Sequence, residues 1–306
     1  MKEQHDDMMR TTSPTLPALV TATPWEALKN FTDARIALGR AGVSLPTAAH
    51  LAFQLAHAQA RDAVHLPFDA LGMESTLQGL GLPTLRLHSQ ATNRAVYLQR
   101  PDLGRRLNAS SLAVLTHWSD ASQPTDSTVS SLGTPPFDLA FVVVDGLSAL
   151  AIHQNATPFL SALLQRLQAD GSQTWSIAPV AVVEQGRVAI GDEVGAALRA
   201  NTVVALIGER PGLSSPDSMG IYLTWAPKVG TFDAARNCIS NVRPAGLSIN
   251  AAAATLHALL SQVRLKQLTG VGLKDDMDHQ VQDLADNSAP SARHSLLWSR
   301  QSTGDV

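Results

Sequence analysis

The second half of the chain alternates between strand-like and helix-like hydrophobic patterns. Leu139–Val144 is an unbroken run of apolar residues rich in valine, which is typical of a strand buried on both faces. Val203–Ile207 and Gly220–Trp225 predict two further strands, and Asn250 starts a long helical pattern that Gly270 ends. Strands that alternate with helices favour right-handed βαβ units. The sequence therefore predicts an α/β fold with a mostly parallel sheet.

Between the first two of these strands the sequence predicts a helix and another strand. Thr157 and Pro158 have the residue types preferred at the N-cap and the first position of a helix. A strand is predicted from about Trp175 to Val183, and Asp192 is placed to cap a short helix after it.

The first half of the chain has a mainly helical pattern. Thr47 can begin a helix in which Leu51 and Leu55 share one face. Val96–Leu98 predicts a short strand within this part. We therefore expect a mainly helical N-terminal lobe.

Composition shifts divide the chain into five segments. Residues 1–24 are polar and broken by three prolines, which predicts a flexible tail. Residues 25–118 form the helical lobe, and residues 119–136, rich in Ser, Thr, Asp and Pro, predict a linker. Residues 137–273 form the α/β domain, and the acidic and then Ser-rich residues 274–306 predict a loosely ordered tail.

The overall composition argues against several classes of protein. The 306 residues are 44% hydrophobic and carry a net charge of −3 with a pI near 6.3, so no basic surface favours nucleic acid. Cys238 is the only cysteine, which excludes an internal disulfide and fits a reducing compartment. No apolar run approaches the roughly 20 residues that span a bilayer, and the N-terminus lacks an apolar signal segment. We expect a cytoplasmic protein without a membrane segment.

The sequence lacks the common motifs of a self-sufficient enzyme. No G-x-G-x-x-G follows a strand, since Gly79 and Gly81 lie in the helical half, and no phosphate-binding G-x-x-x-x-G-K-[ST] or nucleophile G-x-S-x-G occurs. His50 and His57 are seven residues apart, and no H-x-x-x-H or C-x-x-C pair is present. We therefore predict no catalytic residue and no metal site, which favours a cofactor-holding or structural subunit.

Two polar turns follow predicted strands, where α/β sheets bind ligands. Asp145 follows the first strand, and Glu209 follows Val203–Ile207 in a loop stiffened by proline and flanked by glycines that allow a ligand close to the backbone. In one interpretation Asp145 caps a helix and Glu209 pairs with Arg210 at the surface. In the other, Glu209 contacts a ligand, with Asp145 and Arg210 left open as further contacts.

Five segments, in order and spanning about residues 30 to 265, resemble signature segments of the ethanolamine ammonia-lyase small-subunit, or light-chain, family. They are Thr32–Gly42 (TDARIALGRAG), Tyr97–Leu107 (YLQRPDLGRRL), Val143–Ala149 (VVDGLSA), Leu206–Leu213 (LIGERPGL) and Arg236–Asn241 (RNCISN).

The resemblance implies an activity, a cofactor and a partner. The family's enzyme converts ethanolamine to acetaldehyde and ammonia with adenosylcobalamin, and its large subunit carries the substrate and radical chemistry in a barrel. The small subunit has a helical N-terminal part and a Rossmann-like C-terminal domain that covers the cofactor at the interface of a hetero-oligomer. The implied cobalamin contacts are Val188, Glu209 and Cys238.

The resemblance also bears on binding mode and location. The chain lacks D-x-H-x-x-G, the loop with which another cobalamin class displaces the benzimidazole, and this agrees with base-on binding. Some family members are packaged in a bacterial microcompartment. Two alternatives remain: a stand-alone Rossmann-type nucleotide-binding or hydrolytic protein that uses Asp145 and Glu209, and an assembly protein of a shell.

Overall fold

The computed structural model describes residues 19–121, 137–171 and 173–274, in which helices cover both faces of one sheet. The strands are β1 (Thr84–His88), β2 (Phe137–Val144), β3 (Val180–Glu184), β4 (Ala200–Gly208), β5 (Met219–Trp225) and β6 (Asn237–Val242). The α-helices are α1 (Thr47–His65), α2 (Ala70–Gly79), α3 (Arg94–Gln99), α4 (Ala109–Ala121), α5 (Ala149–Ala169), α6 (Ile190–Ala197), α7 (Ile249–Lys266) and α8 (Val271–Lys274), and short 3₁₀ helices cover Pro24–Phe31, Leu103–Arg105 and Asp233–Ala235. Most of the two predicted tails and of the predicted linker, namely residues 1–18, 122–136 and 275–306, lies outside the described residues.

The prediction of an α/β fold with a mostly parallel sheet is confirmed. The strand order is β1-β3-β2-β4-β5-β6. The pairs β1–β3, β3–β2 and β2–β4 are parallel, whereas β5 and β6 are added antiparallel at the other edge. Among the described helices, none is long and apolar enough to cross a membrane.

Strand β2 lies at the centre of the sheet and is buried on both faces, as its unbroken apolar run predicts. Leu139, Phe141 and Val143 pack into the core beneath α5 and α7, while Val142 and Val144 pack into the second core beneath α4 and α6. This alternation follows from the period of two along a strand. One strand thus contributes to both hydrophobic cores.

The first half of the chain differs from its prediction in three places. Thr84–His88 is the edge strand β1, so this half contributes to the same sheet as the second half. Val96–Leu98, predicted as a strand, lies within α3, where Asn93 caps the helix by accepting a hydrogen bond from the Val96 amide at 3.0 Å. On α1 the predicted apolar residues Leu51 and Leu55 are 57% and 59% exposed.

Helix α5 begins nine residues before its predicted start. Ser148, rather than Thr157, caps it and accepts a hydrogen bond from the Ala151 amide, so that Pro158 lies inside the helix. The cost of an interior proline is offset by burial, since Ile152, Ala156, Phe159, Leu160 and Leu163 are all fully buried. Tertiary packing therefore overrides the local signal at Pro158.

The turn after β2 packs directly against the end of β4. Gly146 has a φ of +58°, and a Cβ atom there would overlap the Gly208 backbone. A Cβ atom on Gly208 would overlap the Ser148 carbonyl oxygen and lie 2.5 Å from that of Asp145. The Leu147 amide donates a 2.9 Å hydrogen bond to the Gly208 carbonyl oxygen. Two glycines are thus required for the two strand ends to meet.

Gly208→Ala should destabilise the protein because the atoms that its methyl group would meet are backbone oxygens, which cannot move aside as a flexible side chain does. We expect the free energy of unfolding in urea to fall by about 3 kcal/mol, the upper part of the range for overpacking. Gly79→Ala is the matched control, because nothing lies within 4 Å of a Cβ atom there. Equal stability of Gly208→Ala and the control would contradict this packing.

Candidate functional site

A cleft of about 670 Å³ opens at the carboxyl ends of β2, β3 and β4. This is the edge at which α/β sheets bind ligands. Its lining comes from six segments, represented by Tyr97 and Arg105, by Leu147, by Arg187 and Val188, by Ile207 to Arg210, by Tyr222, and by Thr231 to Asp233. Aliphatic, aromatic and cationic side chains are therefore combined in one concave surface.

Two of the three implied contact residues line this cleft. Val188 lies in the turn between β3 and α6, and Glu209 directly follows β4. Cys238 lies on β6 opposite Tyr222, a residue that lines the cleft, but is itself not part of the lining. The fold brings Val188 and Glu209 together and leaves Cys238 beside them.

The Glu209 carboxylate is held by groups of its own chain. The Ser218 hydroxyl donates a 2.5 Å hydrogen bond to Oε2, and the backbone amide of Asn241 donates one of 3.2 Å to the same oxygen. No ion pair with Arg210 is present in the described structure, so the predicted surface pair does not form. Glu209 therefore links β4 to the start of β5 and to β6 while it lines the cleft.

The surroundings of Cys238 favour its protonated thiol, which is a weak nucleophile. Partial desolvation raises the pKa of its thiol, although a hydrogen bond from Tyr222 opposes this, and the charge of Glu209 raises the pKa further. Burial likewise raises the pKa of the Tyr222 phenol. Both groups carry their protons at neutral pH.

Asp145 is a structural carboxylate below the cleft and does not cap α5. It is 1% exposed and accepts a 3.2 Å hydrogen bond from the Gly186 amide, while Arg94 Nη1 lies 3.4 Å from Oδ2. Burial raises its pKa to about 6, with Arg94 acting in the opposite direction. The same Arg94 nitrogen donates a 2.7 Å hydrogen bond to the Gly146 carbonyl oxygen. Asp145 and Arg94 thus hold the β2–α5 turn and the end of β3 together.

Sequence reasoning missed several residues of the cleft. Tyr97 is fully buried, and its hydroxyl donates a 2.9 Å hydrogen bond to the Gly186 carbonyl oxygen. The Arg187 guanidinium stacks on the Tyr97 ring at 4.2 Å from its centroid. The only signal in the sequence was that Tyr97 and Arg105 lie in one of the family-like segments and Arg187 lies next to Val188.

An ion pair holds the segment that forms the outer side of the cleft. The side chains of Arg236 and Asp192 are each 2% exposed, and the guanidinium donates a hydrogen bond to the carboxylate. Arg236 also donates hydrogen bonds to the carbonyl oxygens of Thr231 (3.0 Å) and Phe232 (3.2 Å). Thr231 and Phe232 line the cleft. Arg236 therefore ties this segment to α6, on which Asp192 lies inside the helix and not at its predicted cap position.

Potential metal ligands are not clustered in the part of the chain that the structure describes. No cluster of three or more His, Cys, Asp or Glu residues that could hold a metal ion occurs there. Its two lining carboxylates, Glu209 and Asp233, belong to separate segments. The arrangement suits binding and orienting a large ligand.

Comparison with known proteins identifies similar chains over most of the length. Residues 22–274 match the family model described as ethanolamine ammonia-lyase light chain. Proteins named ethanolamine ammonia-lyase small subunit are similar in Ralstonia nicotianae (56% identical over 259 residues, 85% of this chain and 91% of the relative) and Azotobacter vinelandii (55% over 258 residues, 84% and 90%). A protein of the same name in Pseudomonas putida is 53% identical over 274 residues, which cover 90% of this chain and 95% of the relative.

Arg236→Met should destabilise the fold, because the buried Asp192 carboxylate would lose its counter-charge. Breaking a buried pair from one side costs about 3–5 kcal/mol, which urea unfolding would detect. Arg100→Met is the matched control, since the ion pair of Arg100 with Asp102 is solvent-exposed. The double variant Arg236→Met/Asp192→Leu should regain part of the loss, because no charge stays buried. A loss for Arg236→Met no larger than that for the control would contradict this role.

Proposed function

The chain belongs to the ethanolamine ammonia-lyase light-chain family, and on that premise we propose that it is the small subunit of an adenosylcobalamin-dependent ethanolamine ammonia-lyase. The enzyme converts ethanolamine to acetaldehyde and ammonia, and this subunit covers and orients the cofactor at the interface with a catalytic large subunit. The observation that carries the proposal is the cleft at the carboxyl ends of the parallel strands, which is lined by Val188 and Glu209. Both residues are contacts that the family resemblance implies.

The residues of the cleft fit one side of a cobalamin. Leu147, Val188 and Ile207 offer apolar surface for a corrin or benzimidazole, and exposed polar groups beside them suit the amide side chains of the cofactor. The buried Nε atom of Arg187 has no hydrogen-bond partner in the described structure, so the chain by itself does not satisfy all donors of this guanidinium. A cleft of about 670 Å³ lies within the roughly 300–1,000 Å³ that suits drug-sized ligands, and cobalamin is larger. A second protein surface must then cover the rest of the cofactor.

The division of labour follows from the residues of this chain. Adenosylcobalamin supplies the radical chemistry when bound, and the protein supplies binding and orientation. Val188 contributes an apolar contact, Glu209 a hydrogen-bond acceptor, and Cys238, beside Tyr222, a small protonated contact. In this proposal none of the residues of this chain is catalytic, and the cofactor is bound with its benzimidazole in place.

The proposal includes the finer organisation of the chain and of its assembly. A helical N-terminal part and a Rossmann-like second part are joined through β1, which pairs with β3. The relatives are named small subunits, so a large subunit is the expected partner in a hetero-oligomer. We also place the complex in the cytoplasm, where packaging in a bacterial microcompartment is one arrangement.

The alternative of a nucleotide-binding or hydrolytic protein has less support. It requires Asp145 and Glu209 to act on a ligand. Asp145 is 1% exposed and lies against Arg94, and the Glu209 carboxylate accepts hydrogen bonds from Ser218 and Asn241. Asp145 is therefore not available as a general base without rearrangement, and one carboxylate oxygen of Glu209 is already engaged.

The purified chain should show no ammonia-lyase activity by itself, because its cleft provides binding groups only. Activity should appear when the chain is combined with the large subunit of a relative and adenosylcobalamin, and it is measured as acetaldehyde formation. The large subunit with adenosylcobalamin alone is the control. Turnover by this chain without a partner, or tight mononucleotide binding by it, would favour the alternative.

Glu209→Ala should weaken cobalamin binding by the reconstituted complex. Loss of one hydrogen bond that involves a charged group costs about 1.5–3 kcal/mol, or about one to two decades in affinity. Glu184→Ala is the matched control, because Glu184 ends the neighbouring strand β3 but does not line the cleft. If the apparent dissociation constant for cobalamin equals that of the unaltered complex, Glu209 does not contact the cofactor.

A further inference from the structure

The cleft carries three guanidinium groups without a carboxylate partner. Arg105, Arg187 and Arg210 all line it, and none of them forms an ion pair among the described residues. Most of the other arginines near this edge are paired: Arg94 with Asp145, and Arg236 with Asp192. The unpaired positive charge is therefore concentrated in the cleft.

The two carboxylates of the lining form no ion pair with these three arginines in the described structure. Glu209 accepts hydrogen bonds from Ser218 and Asn241, and Asp233 lies 3.9 Å from the Arg236 guanidinium with its side chain 92% exposed. The lining therefore carries three guanidinium groups against two carboxylates.

Arg187 is held in place by its surroundings and still has an unused donor. Its amide donates a 2.7 Å hydrogen bond to the Gly104 carbonyl oxygen, which also brings it next to Arg105. A Cβ atom on Gly104 would lie 2.9 Å from Arg187 Cγ and 3.0 Å from Tyr97 Cε2. Glycine at this position therefore leaves space for the Arg187 side chain. The guanidinium also donates a 3.3 Å hydrogen bond to the Tyr97 carbonyl oxygen and stacks on the Tyr97 ring, so it is positioned before any ligand arrives, while its Nε stays without a partner.

We propose that Arg105, Arg187 and Arg210 form an anion subsite that binds the phosphodiester of the cobalamin nucleotide tail. This inference rests on the proposed function, because it requires that the cleft binds cobalamin. The side chains of the corrin ring are neutral amides, so the phosphodiester is the anionic group at the periphery of the cofactor. Guanidinium groups bind phosphate oxygens through charge-assisted and often bidentate hydrogen bonds. The nucleotide tail then lies in the part of the cleft that Arg105, Arg187 and Arg210 line.

The test compares two ligands that differ in the tail. Cyanocobalamin has the phosphodiester, whereas dicyanocobinamide has the corrin ring without the nucleotide tail. Binding of each to the complex of this chain with the large subunit is measured by equilibrium dialysis with corrin absorbance. Arg187→Gln and Arg210→Gln are compared with the control Arg86→Gln, since Arg86 is exposed on β1 away from the cleft. Arg210 has an exposed side chain in a loop, so its replacement tests the subsite even where Arg187→Gln disturbs folding.

Each cleft variant should weaken cyanocobalamin binding about 10-fold, the loss of one charge-assisted contact, and leave dicyanocobinamide binding unchanged. Equal weakening of both ligands would overturn the subsite, because the arginines would then contact the corrin ring. Unchanged binding of both ligands would overturn it as well, while leaving the proposed function intact. If the cleft variants fail to assemble with the large subunit while Arg86→Gln assembles, the arginines bind that subunit. This result would also overturn the subsite. If the unaltered complex binds neither ligand, the proposed function itself fails.

Discussion

The turn after β2 and the end of β4 are in such close contact that neither Gly146 nor Gly208 has space for a side chain. This contact brings Leu147 beside Ile207 and Glu209 and so forms the floor of the cleft. Asp145, buried against Arg94 and the Gly186 amide, ties the end of β3 to the same point. Three strand ends are therefore held in one position, and the remaining segments of the cleft are arranged around them.

The charges near the cleft fall into two groups with different roles. Asp145, Asp192 and Glu209 are engaged by Arg94, Arg236 and the Ser218 hydroxyl respectively, so each one joins parts of the chain. The guanidinium groups of the lining have no carboxylate partner in the described structure, although Arg187 donates a hydrogen bond to the Tyr97 carbonyl oxygen. A buried charged side chain stabilises the fold only when its partner is also present. An unpaired charge on a concave surface can instead bind a ligand or a second subunit.

A large part of the fold could be predicted from the sequence. The apolar runs at β2, β4 and β5 and the helical pattern of α7 identified the central elements, because burial on both faces leaves a clear hydrophobic signal. Short or amphipathic elements were harder. Strand β6, the pairing of β1 with β3, and the helical state of residues 94–99 depend on partners that are distant in sequence. The interior position of Pro158 likewise follows from the burial of its neighbours and not from its own preference.

The sequence by itself determined the fold class, the family, and the two strand ends at Asp145 and Glu209 where a ligand site was expected. It did so because buried strands and long ordered motifs are local properties of the chain. Only the tertiary structure decided that Asp145 is a buried structural group, that Glu209 is bonded to Ser218 and Asn241, and that Arg105, Arg187 and Arg210 share a cleft with Val188. The availability of a charged side chain depends on which partners the fold brings within hydrogen-bond distance, and Arg94, the partner of Asp145, lies 51 residues away along the chain.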